Sequence, residues 1–276
     1  MRDKRVIQLF IAIAAFAALR LCIPYARVFG GFGSAGAAAD MAIFTTAFMA
    51  AQILVIRNLC SLQPRLAVGG AVFVLSLAAF AALLTLKLTI GAGVWLDLSL
   101  DLGRLLAAAF LGYVVSFSLL DKNIVLPVAG FAAYLDIWMV VWGPTKYFVT
   151  QAPEVVQAVS APIPAPGGHG AAVSFIGPAD FVFLAIFFGA IYRLRMEPAR
   201  TYWFALPLLA GAMLMVITMP HFRHAVGLPA LVPIGVAVIA ANYRHFRLEK
   251  QEKLAVIVVS GLLAAALAVF VLTHRR

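Results

Sequence analysis

The sequence predicts an all-α polytopic membrane protein with about nine transmembrane helices. Composition is the first observation, because 64% of the 276 residues are hydrophobic and only 12% are charged. A soluble domain carries about 25% charged residues, so this chain lacks the charges that a water-exposed surface needs. The second observation is that the apolar residues form stretches of about 20, the length with which an α-helix crosses the hydrocarbon core.

Short polar or basic segments separate the apolar stretches, and each stretch is predicted to form one span. The predicted spans are Val6–Ile23, Met41–Ile56, Leu66–Leu86, Gly103–Leu120, Asn123–Gly143, Ser174–Tyr192, Trp203–Met219, Val226–Tyr243 and Leu254–Leu272. The segment Lys87–Leu102 is less apolar and holds Asp97 and Asp101, so it is predicted to be either an interfacial helix or a further span.

No change of composition marks a separate soluble domain, so residues 1–276 are predicted to form a single transmembrane domain. Its parts are N-terminal helices in residues 1–122, a core with the candidate functional residues in 123–243, and a terminal helix at 254–272. The basic start and first apolar run resemble an export signal. Because the run is long enough to span the bilayer, it is predicted to remain as an anchor.

Charge predicts the orientation rather than a nucleic-acid partner. The net charge of +10 fits the basic loops of a membrane protein, and the chain has no nucleic-acid motif or basic segment interleaved with aromatic residues. Loops on the side of the N-terminus carry about 13 Lys and Arg, against about 8 on the other side. The positive-inside rule therefore predicts a cytoplasmic N-terminus in a multi-pass protein of the lipid bilayer.

One long loop, Pro144–Val173, is rich in proline and glycine. It contains Pro153, Pro162, Pro164 and Pro166, followed by Gly167, Gly168 and Gly170. This composition disfavours regular structure, and the loop joins the two spans that carry intramembrane aspartates. It is predicted to be either a lid over a functional site or a slack linker.

Two aspartates interrupt these apolar stretches. Asp136 lies inside Asn123–Gly143, and Asp180 lies near the start of Ser174–Tyr192. A carboxylate in the bilayer costs about 2.5–3.5 kcal/mol, so such residues are rare and most have a function. Two carboxyls held together in a low dielectric share one proton, which is the arrangement that aspartic proteolysis uses. Each aspartate alone also fits a structural role, as an acid bonded to a neighbouring helix or lying at the membrane interface.

Three short motifs occur in order along the chain. They are Tyr134-Leu135-Asp136, Gly177-Pro178-Ala179-Asp180 and Pro229-Ala230-Leu231. This order resembles that of presenilins and signal peptide peptidases, intramembrane aspartyl proteases with Tyr-Asp, Gly-x-Gly-Asp and Pro-Ala-Leu motifs. The third motif matches literally. Gly143-Pro144 after the first aspartate, and Asp180-Phe181-Val182-Phe183 with Gly189, are also similar to presenilins.

The resemblance has departures. Leu135 stands directly before the first aspartate, where the family has tyrosine, and Ala179 replaces the second glycine of Gly-x-Gly-Asp. The first aspartate also falls in the fifth predicted span, whereas the family has it in the sixth of nine. Type IV prepilin peptidases share Gly-x-Gly-Asp but lack Pro-Ala-Leu, so they are the weaker match.

The resemblance implies a presenilin-like fold of the prokaryotic type in an inner or plasma membrane. It also implies peptide hydrolysis within transmembrane helices or remnant signal peptides. The implied catalytic residues are Asp136 and Asp180. Implied substrate-binding residues are Gly177, Pro178, Ala179, Pro229, Ala230 and Leu231, with support from Tyr134 and Lys146. No cofactor is implied, because two carboxyls and a water molecule suffice.

The residue types support this interpretation independently. Gly177 and Pro178 are expected to loosen the backbone before Asp180, so that a substrate backbone can approach closely. Pro229 and Pro233 interrupt the start of a span and free backbone groups there. An extended substrate strand would be able to pair with such groups by β-augmentation.

Other functions and ligands stay open at this point. Intramembrane acids and broken helices also occur in proton-coupled secondary transporters, and a degenerate relative would bind substrate without cleaving it. His221 and His224 lie three residues apart but have no third ligand nearby in sequence, so no metal site is predicted. The oligomeric state, a homo-oligomer included, is not determined by the sequence.

Overall fold

A computed structural model describes residues 2–29, 33–91, 93–141, 151, 154, 158–167, 172–218, 229–254, 256, 258, 261–262 and 265. Helices make up most of these residues, together with one short β-hairpin. The predicted class, an all-α membrane protein, is confirmed at this level. Nine spans and a presenilin-like arrangement stay predictions.

The described part of the chain contains eight α-helices and two strands. The helices are α1 (Arg2–Cys22), α2 (Gly33–Ser61), α3 (Leu66–Ile90), α4 (Val94–Val115), α5 (Lys122–Val141), α6 (Pro178–Arg193), α7 (Pro198–Thr218) and α8 (Leu231–Asn242). The strands are β1 (Ala161–Pro164) and β2 (Ala172–Ile176). Short 3-10 helices follow α1, α4 and α8, at Ile23–Tyr25, Ser116–Ser118 and Tyr243–His245.

Among the described residues, five helices are long and apolar enough to cross a membrane. They cover Asp3–Tyr25, Gly36–Ser61, Leu66–Ile90, Val94–Ser118 and Lys122–Val140. Helix α3 is the clearest candidate span, because apolar residues occur on all its sides and Leu75, Leu77 and Leu88 are exposed. An exposed surface of this kind is stable only in lipid. Helices α6 and α8 are shorter, with 16 and 12 residues.

Two expectations about span boundaries were wrong. The segment Lys87–Leu102 is not a separate span, because α3 runs on to Ile90 and α4 begins at Val94. Residues Ser174–Ile176, predicted to start a helix, belong to strand β2. Of the predicted terminal helix at 254–272, most residues lie outside the described part of the chain.

Helix α6, which begins two residues before Asp180, contacts most of the other helices. It packs along α4 and also contacts α2, α5, α7 and α8. Small residues allow the close approach to α4. A methyl group on Gly112 would overlap the carbonyl oxygen of Val182 in α6, and one on Gly189 would lie 2.9 Å from the Cβ of Ser116.

The loop that precedes α6 contains a hairpin, so the prediction that Pro144–Val173 lacks regular structure was wrong for part of it. Strands β1 and β2 pair antiparallel, from Ala161 opposite Ile176 to Pro164 opposite Ala172. Ala161 and Ile163 are buried, and β1 contacts α2 and α4. Prolines are tolerated in β1 because a two-stranded sheet leaves each strand an outer edge where no N–H donor is required.

The basic loops on the side of the N-terminus gather at one end of the helices. The contacts that show this are Arg5 Nη1 to Ser61 O at 2.6 Å, Tyr113 Oη to Pro64 O at 2.8 Å, Arg193 Nη2 to Leu119 O at 2.5 Å and Arg247 N to Asn123 Oδ1 at 3.0 Å. We refer to this as the basic end. That it faces the cytoplasm stays a prediction.

Helices α1 and α4 are joined by a buried ion cluster. Asp101 accepts from Arg20 Nε at 2.7 Å and from Arg104 Nη1 at 2.9 Å, and its side chain is 3% exposed. A second pair, Lys87 Nζ to Asp97 Oδ1 at 2.6 Å, joins α3 to α4 and is partly exposed. Asp97 and Asp101, which lower the apolar character of the segment Lys87–Leu102, therefore have cationic partners. These partners lower the free-energy cost of placing the two acids in a membrane helix.

We expect Asp101→Asn to destabilise the protein by about 3–5 kcal/mol, because it leaves two guanidinium groups without their shared counter-ion. Asp97→Asn is the matched control and should cost about 1 kcal/mol or less, since its pair is partly exposed. Denaturant unfolding of the purified protein in detergent micelles measures both. Equal losses would contradict the cluster's role in joining α1 to α4.

We expect Gly112→Ala to lower the free energy of unfolding by about 1–3 kcal/mol, because the new methyl group overlaps the backbone of α6. Gly70→Ala is the control, since no atom lies within 4 Å of the position its methyl group would take. Thermal unfolding in micelles compares the two variants. If Gly112→Ala is as stable as Gly70→Ala, the close packing of α4 on α6 does not limit stability.

Candidate functional site

The first aspartate contacts the Pro-Ala-Leu motif directly. Asp136 Oδ2, on α5, accepts a hydrogen bond of 2.8 Å from the backbone N–H of Leu231, the first residue of α8. The first four N–H groups of a helix have no partner within the helix, and Ala230 at the N-cap has no side chain that can accept from them. Asp136 therefore caps α8 from a neighbouring helix, with its negative charge at the positive end of the helix dipole.

A glycine contact sets the spacing of these two helices. A methyl group on Gly235, one turn into α8, would lie 3.0 Å from the carbonyl oxygen of Ala129 and 3.7 Å from the Cβ of Ala133, both in α5. The absence of a side chain at this position lets the backbones approach closely. This approach brings the start of α8 within reach of the Asp136 carboxylate.

The second aspartate lies in the first turn of α6. Asp180 Oδ2 accepts from the backbone N–H of Gly177 at 3.2 Å, and the Asp180 N–H donates to Gly177 O at 3.2 Å. A carboxylate that reaches back to the N-cap is one half of a capping box, and Pro178 at the first helical position suits the start of a helix. The sequence Gly177–Asp180 thus begins a helix in a regular way.

The backbone before Asp180 is not loosened, contrary to our expectation. Gly177 has φ −66° and ψ 147°, an extended conformation that other residues also adopt. Strand β2 ends at Ile176, so only Gly177 separates the strand from α6. The conformation of this segment is therefore determined by the strand on one side and by the helix N-terminus on the other.

Helix α5, which carries Asp136, contacts α6, which carries Asp180. Both side chains are half-buried, while Pro178 and Ala179 are exposed and Pro229 is partly exposed. A hydrogen bond therefore joins Asp136 to Leu231, from two of the three motifs, and Asp180, from the third, lies on a helix that contacts α5. Two neighbouring carboxyls that remain accessible can hold a water molecule and exchange a proton with it.

The other predicted site residues have different positions. Tyr134 is half-buried in α5 and makes no hydrogen bond to either aspartate. Ala230 is the N-cap residue of α8 and is half-buried. Lys146, His221 and His224 lie outside the described residues.

Sequence reasoning missed two features of the site. Gly235 was not singled out, although a glycine inside an apolar helical stretch is a signal of close packing. Strand β2 was divided between the predicted loop, which ends at Val173, and a predicted helix that starts at Ser174, although Val173, Phe175 and Ile176 favour strands. A short apolar run next to a helix does not reveal by periodicity where the strand ends.

Among the described residues, no group of three or more His, Cys, Asp and Glu side chains is arranged to hold a metal ion. The donors at the site are two carboxylates and backbone N–H groups. Two carboxyls with a bound water molecule form a complete acid–base pair for hydrolysis.

We expect Asp136→Ala to expose the start of α8, because the Leu231 N–H loses its acceptor. The loss of a helix cap costs about 1 kcal/mol, which corresponds to roughly fivefold faster amide exchange at Leu231. Asp136→Asn is the matched control, since its side-chain oxygen still accepts the bond. Hydrogen exchange followed by mass spectrometry measures both, and equal rates in the two variants would contradict the capping role.

The arrangement of these residues carries the functional argument for this chain. Comparison with protein-family models, with curated proteins and with solved structures found no match to this chain.

Proposed function

We propose that this protein is an intramembrane aspartyl protease in which Asp136 and Asp180 form the catalytic pair. The hydrogen bond from Leu231 N–H to Asp136, beside Asp180, is the observation that supports this most strongly. It links the Pro-Ala-Leu motif to the first aspartate, and the second aspartate lies on a helix that contacts the helix of the first. A chance occurrence of three motifs in sequence would not require their residues to meet in space.

The proposed reaction is general acid–base hydrolysis of a peptide bond. One carboxylate takes a proton from a water molecule, whose oxygen attacks the peptide carbonyl carbon, while the protonated partner donates a hydrogen bond to the carbonyl oxygen. The resulting tetrahedral species breaks its C–N bond as the leaving nitrogen receives a proton from the pair. Because the two groups act as a unit, the roles of acid and base belong to the pair.

The substrate must be extended at the bond that is cut, since a helix shields its peptide groups. Strand β2 pairs with β1 along one edge, and no other strand pairs with it in the described part of the chain. Phe175 in this strand is 41% exposed, and the strand ends immediately before the helix that carries Asp180. An unwound substrate segment would add to the sheet at this edge and so present a peptide bond to the carboxyls.

The resemblance to presenilins and signal peptide peptidases extends the proposal to substrate and architecture. The substrates would be single-span helices or remnant signal peptides, cut in a prokaryotic inner or plasma membrane. The protein would have about nine spans in a presenilin-like arrangement, with its N-terminus in the cytoplasm. Residues Gly177–Ala179 and Pro229–Leu231 would line the substrate path on either side of the carboxyls.

The test is cleavage of a single-span reporter peptide by the purified protein in liposomes. We expect Asp136→Asn and Asp180→Asn each to lower the cleavage rate at least about 100-fold, because each removes one acid–base group. Asparagine keeps the shape and the hydrogen-bond acceptor of each side chain, so folding should be retained. Asp97→Asn removes a carboxylate in α4, outside the site, and should leave the rate unchanged.

The outcomes separate the proposed protease from its alternatives. If wild-type protein cleaves and neither site variant slows cleavage, the aspartyl mechanism is wrong. If wild-type protein binds the reporter without cutting it across a range of pH, the chain is a substrate-binding relative that has lost activity. Proton flux into the liposomes that depends on either aspartate, without cleavage, would favour a transporter.

A further inference from the structure

A polar cavity lies at the basic end, away from the two aspartates. Its volume is about 370 Å³, and its lining residues are Asp121, Lys122, Asn123, Arg244, His245 and Arg247. The residues come from the connection between α4 and α5, the first turn of α5, and the segment that follows α8. The proposed protease chemistry uses none of them.

The cavity carries excess positive charge. Among the lining residues, Lys122, Arg244 and Arg247 are cations and Asp121 is a carboxylate, which leaves two net positive charges with His245 neutral. Two further carboxylates contact lining residues, Glu252 at 3.4 Å from Asn123 Nδ2 and Glu197 at 3.8 Å from His245 Nε2. The Asp121 carboxylate already accepts a 2.7 Å hydrogen bond from the N–H of Asn123. None of the three cations forms an ion pair with a carboxylate in the part of the chain that the structure describes.

The walls of the cavity are held together by protein contacts. Asn123 accepts a 3.0 Å hydrogen bond from the backbone N–H of Arg247 and donates one of 3.2 Å to the carbonyl of the same residue. Arg244 Nε donates to the hydroxyl of Tyr243 at 2.9 Å, which orients its guanidinium. These bonds fix the backbone of Arg247 beside Asn123 and orient the guanidinium of Arg244, which lowers the entropy cost of binding at those two residues.

The position of the cavity matches the headgroup level of a bilayer. Lys122 is the first residue of α5, a helix long and apolar enough to span, so the cavity opens where hydrocarbon gives way to water. Exposed aromatic side chains occur at the same end, with Tyr243 53% and Trp203 67% exposed. Tyrosine and tryptophan collect at membrane interfaces because their rings combine an apolar body with a polar group.

We propose that this cavity binds the phosphate group of an anionic phospholipid, through Lys122, Arg244 and Arg247. Lysine and arginine recognise phosphate by charge-assisted hydrogen bonds, and basic cavities between membrane helices suit anionic headgroups. The bound lipid would bridge the start of α5 and the segment after α8, the two helices that meet again at Asp136 and Leu231.

The test measures lipid binding and does not depend on protease activity. The full-length protein is purified in detergent, and native mass spectrometry compares retained phosphatidylglycerol with phosphatidylcholine of the same chain length. We expect wild type to prefer phosphatidylglycerol, and Lys122→Gln/Arg247→Gln to lower that preference about tenfold. Lys4→Gln/Arg65→Gln removes two exposed charges from the same end of the protein and should keep the preference.

A charge-preserving variant separates the effect of lost charge from the effect of misfolding. Lys122→Arg/Arg247→Lys should retain the preference for phosphatidylglycerol. If this variant loses the preference as Lys122→Gln/Arg247→Gln does, the cause is damage to the cavity rather than lost charge, and the proposal is overturned. Equal preference in wild type and Lys122→Gln/Arg247→Gln would also overturn it. Binding of inorganic phosphate at these residues without phosphatidylglycerol binding would assign the cavity to a soluble anion instead of a lipid.

Discussion

The candidate site depends on one hydrogen bond, from the backbone N–H of Leu231 to the carboxylate of Asp136. In a membrane, a helix that begins within the protein leaves backbone N–H groups that water cannot easily reach, so the protein must supply acceptors. The Pro-Ala-Leu motif supplies none, because Pro229 and Ala230 lack polar side chains. An acid on the neighbouring helix meets this requirement, and the same contact holds its carboxylate in a defined position.

The second aspartate is positioned by a different mechanism. Asp180 is held by its own helix terminus, and α6 is held in turn by close packing against α4 at Gly112 and Gly189. The site thus combines one acid fixed by an adjacent helix with one fixed locally on a buried helix. Hairpin β1–β2 ends next to α6, so the strand to which we propose that a substrate adds is separated from the helix of Asp180 by Gly177 alone.

The sequence predicted some features well and others poorly, for physical reasons that particular residues illustrate. Predicted spans such as Leu66–Leu86 and Asn123–Gly143 correspond to α3 and α5, because length and apolar composition alone decide a span. The region around Asp97 and Asp101 was misjudged, since Lys87 lies 10 residues from Asp97 and Arg20 lies 81 residues from Asp101, and local sequence does not reveal such pairs. Strand β2 was taken for helix because a short apolar run satisfies both patterns.

By itself, the sequence determined that the protein lies in a membrane, and it identified Asp136, Asp180 and the Pro-Ala-Leu segment as unusual. Those properties are local, since each depends on residue type and on its immediate neighbours. Only the tertiary structure decided which groups meet: Leu231 with Asp136, Gly235 with Ala129, and the basic residues after α8 with the start of α5. Such contacts join residues about 100 positions apart, and they arise from helix packing, which local hydropathy does not encode.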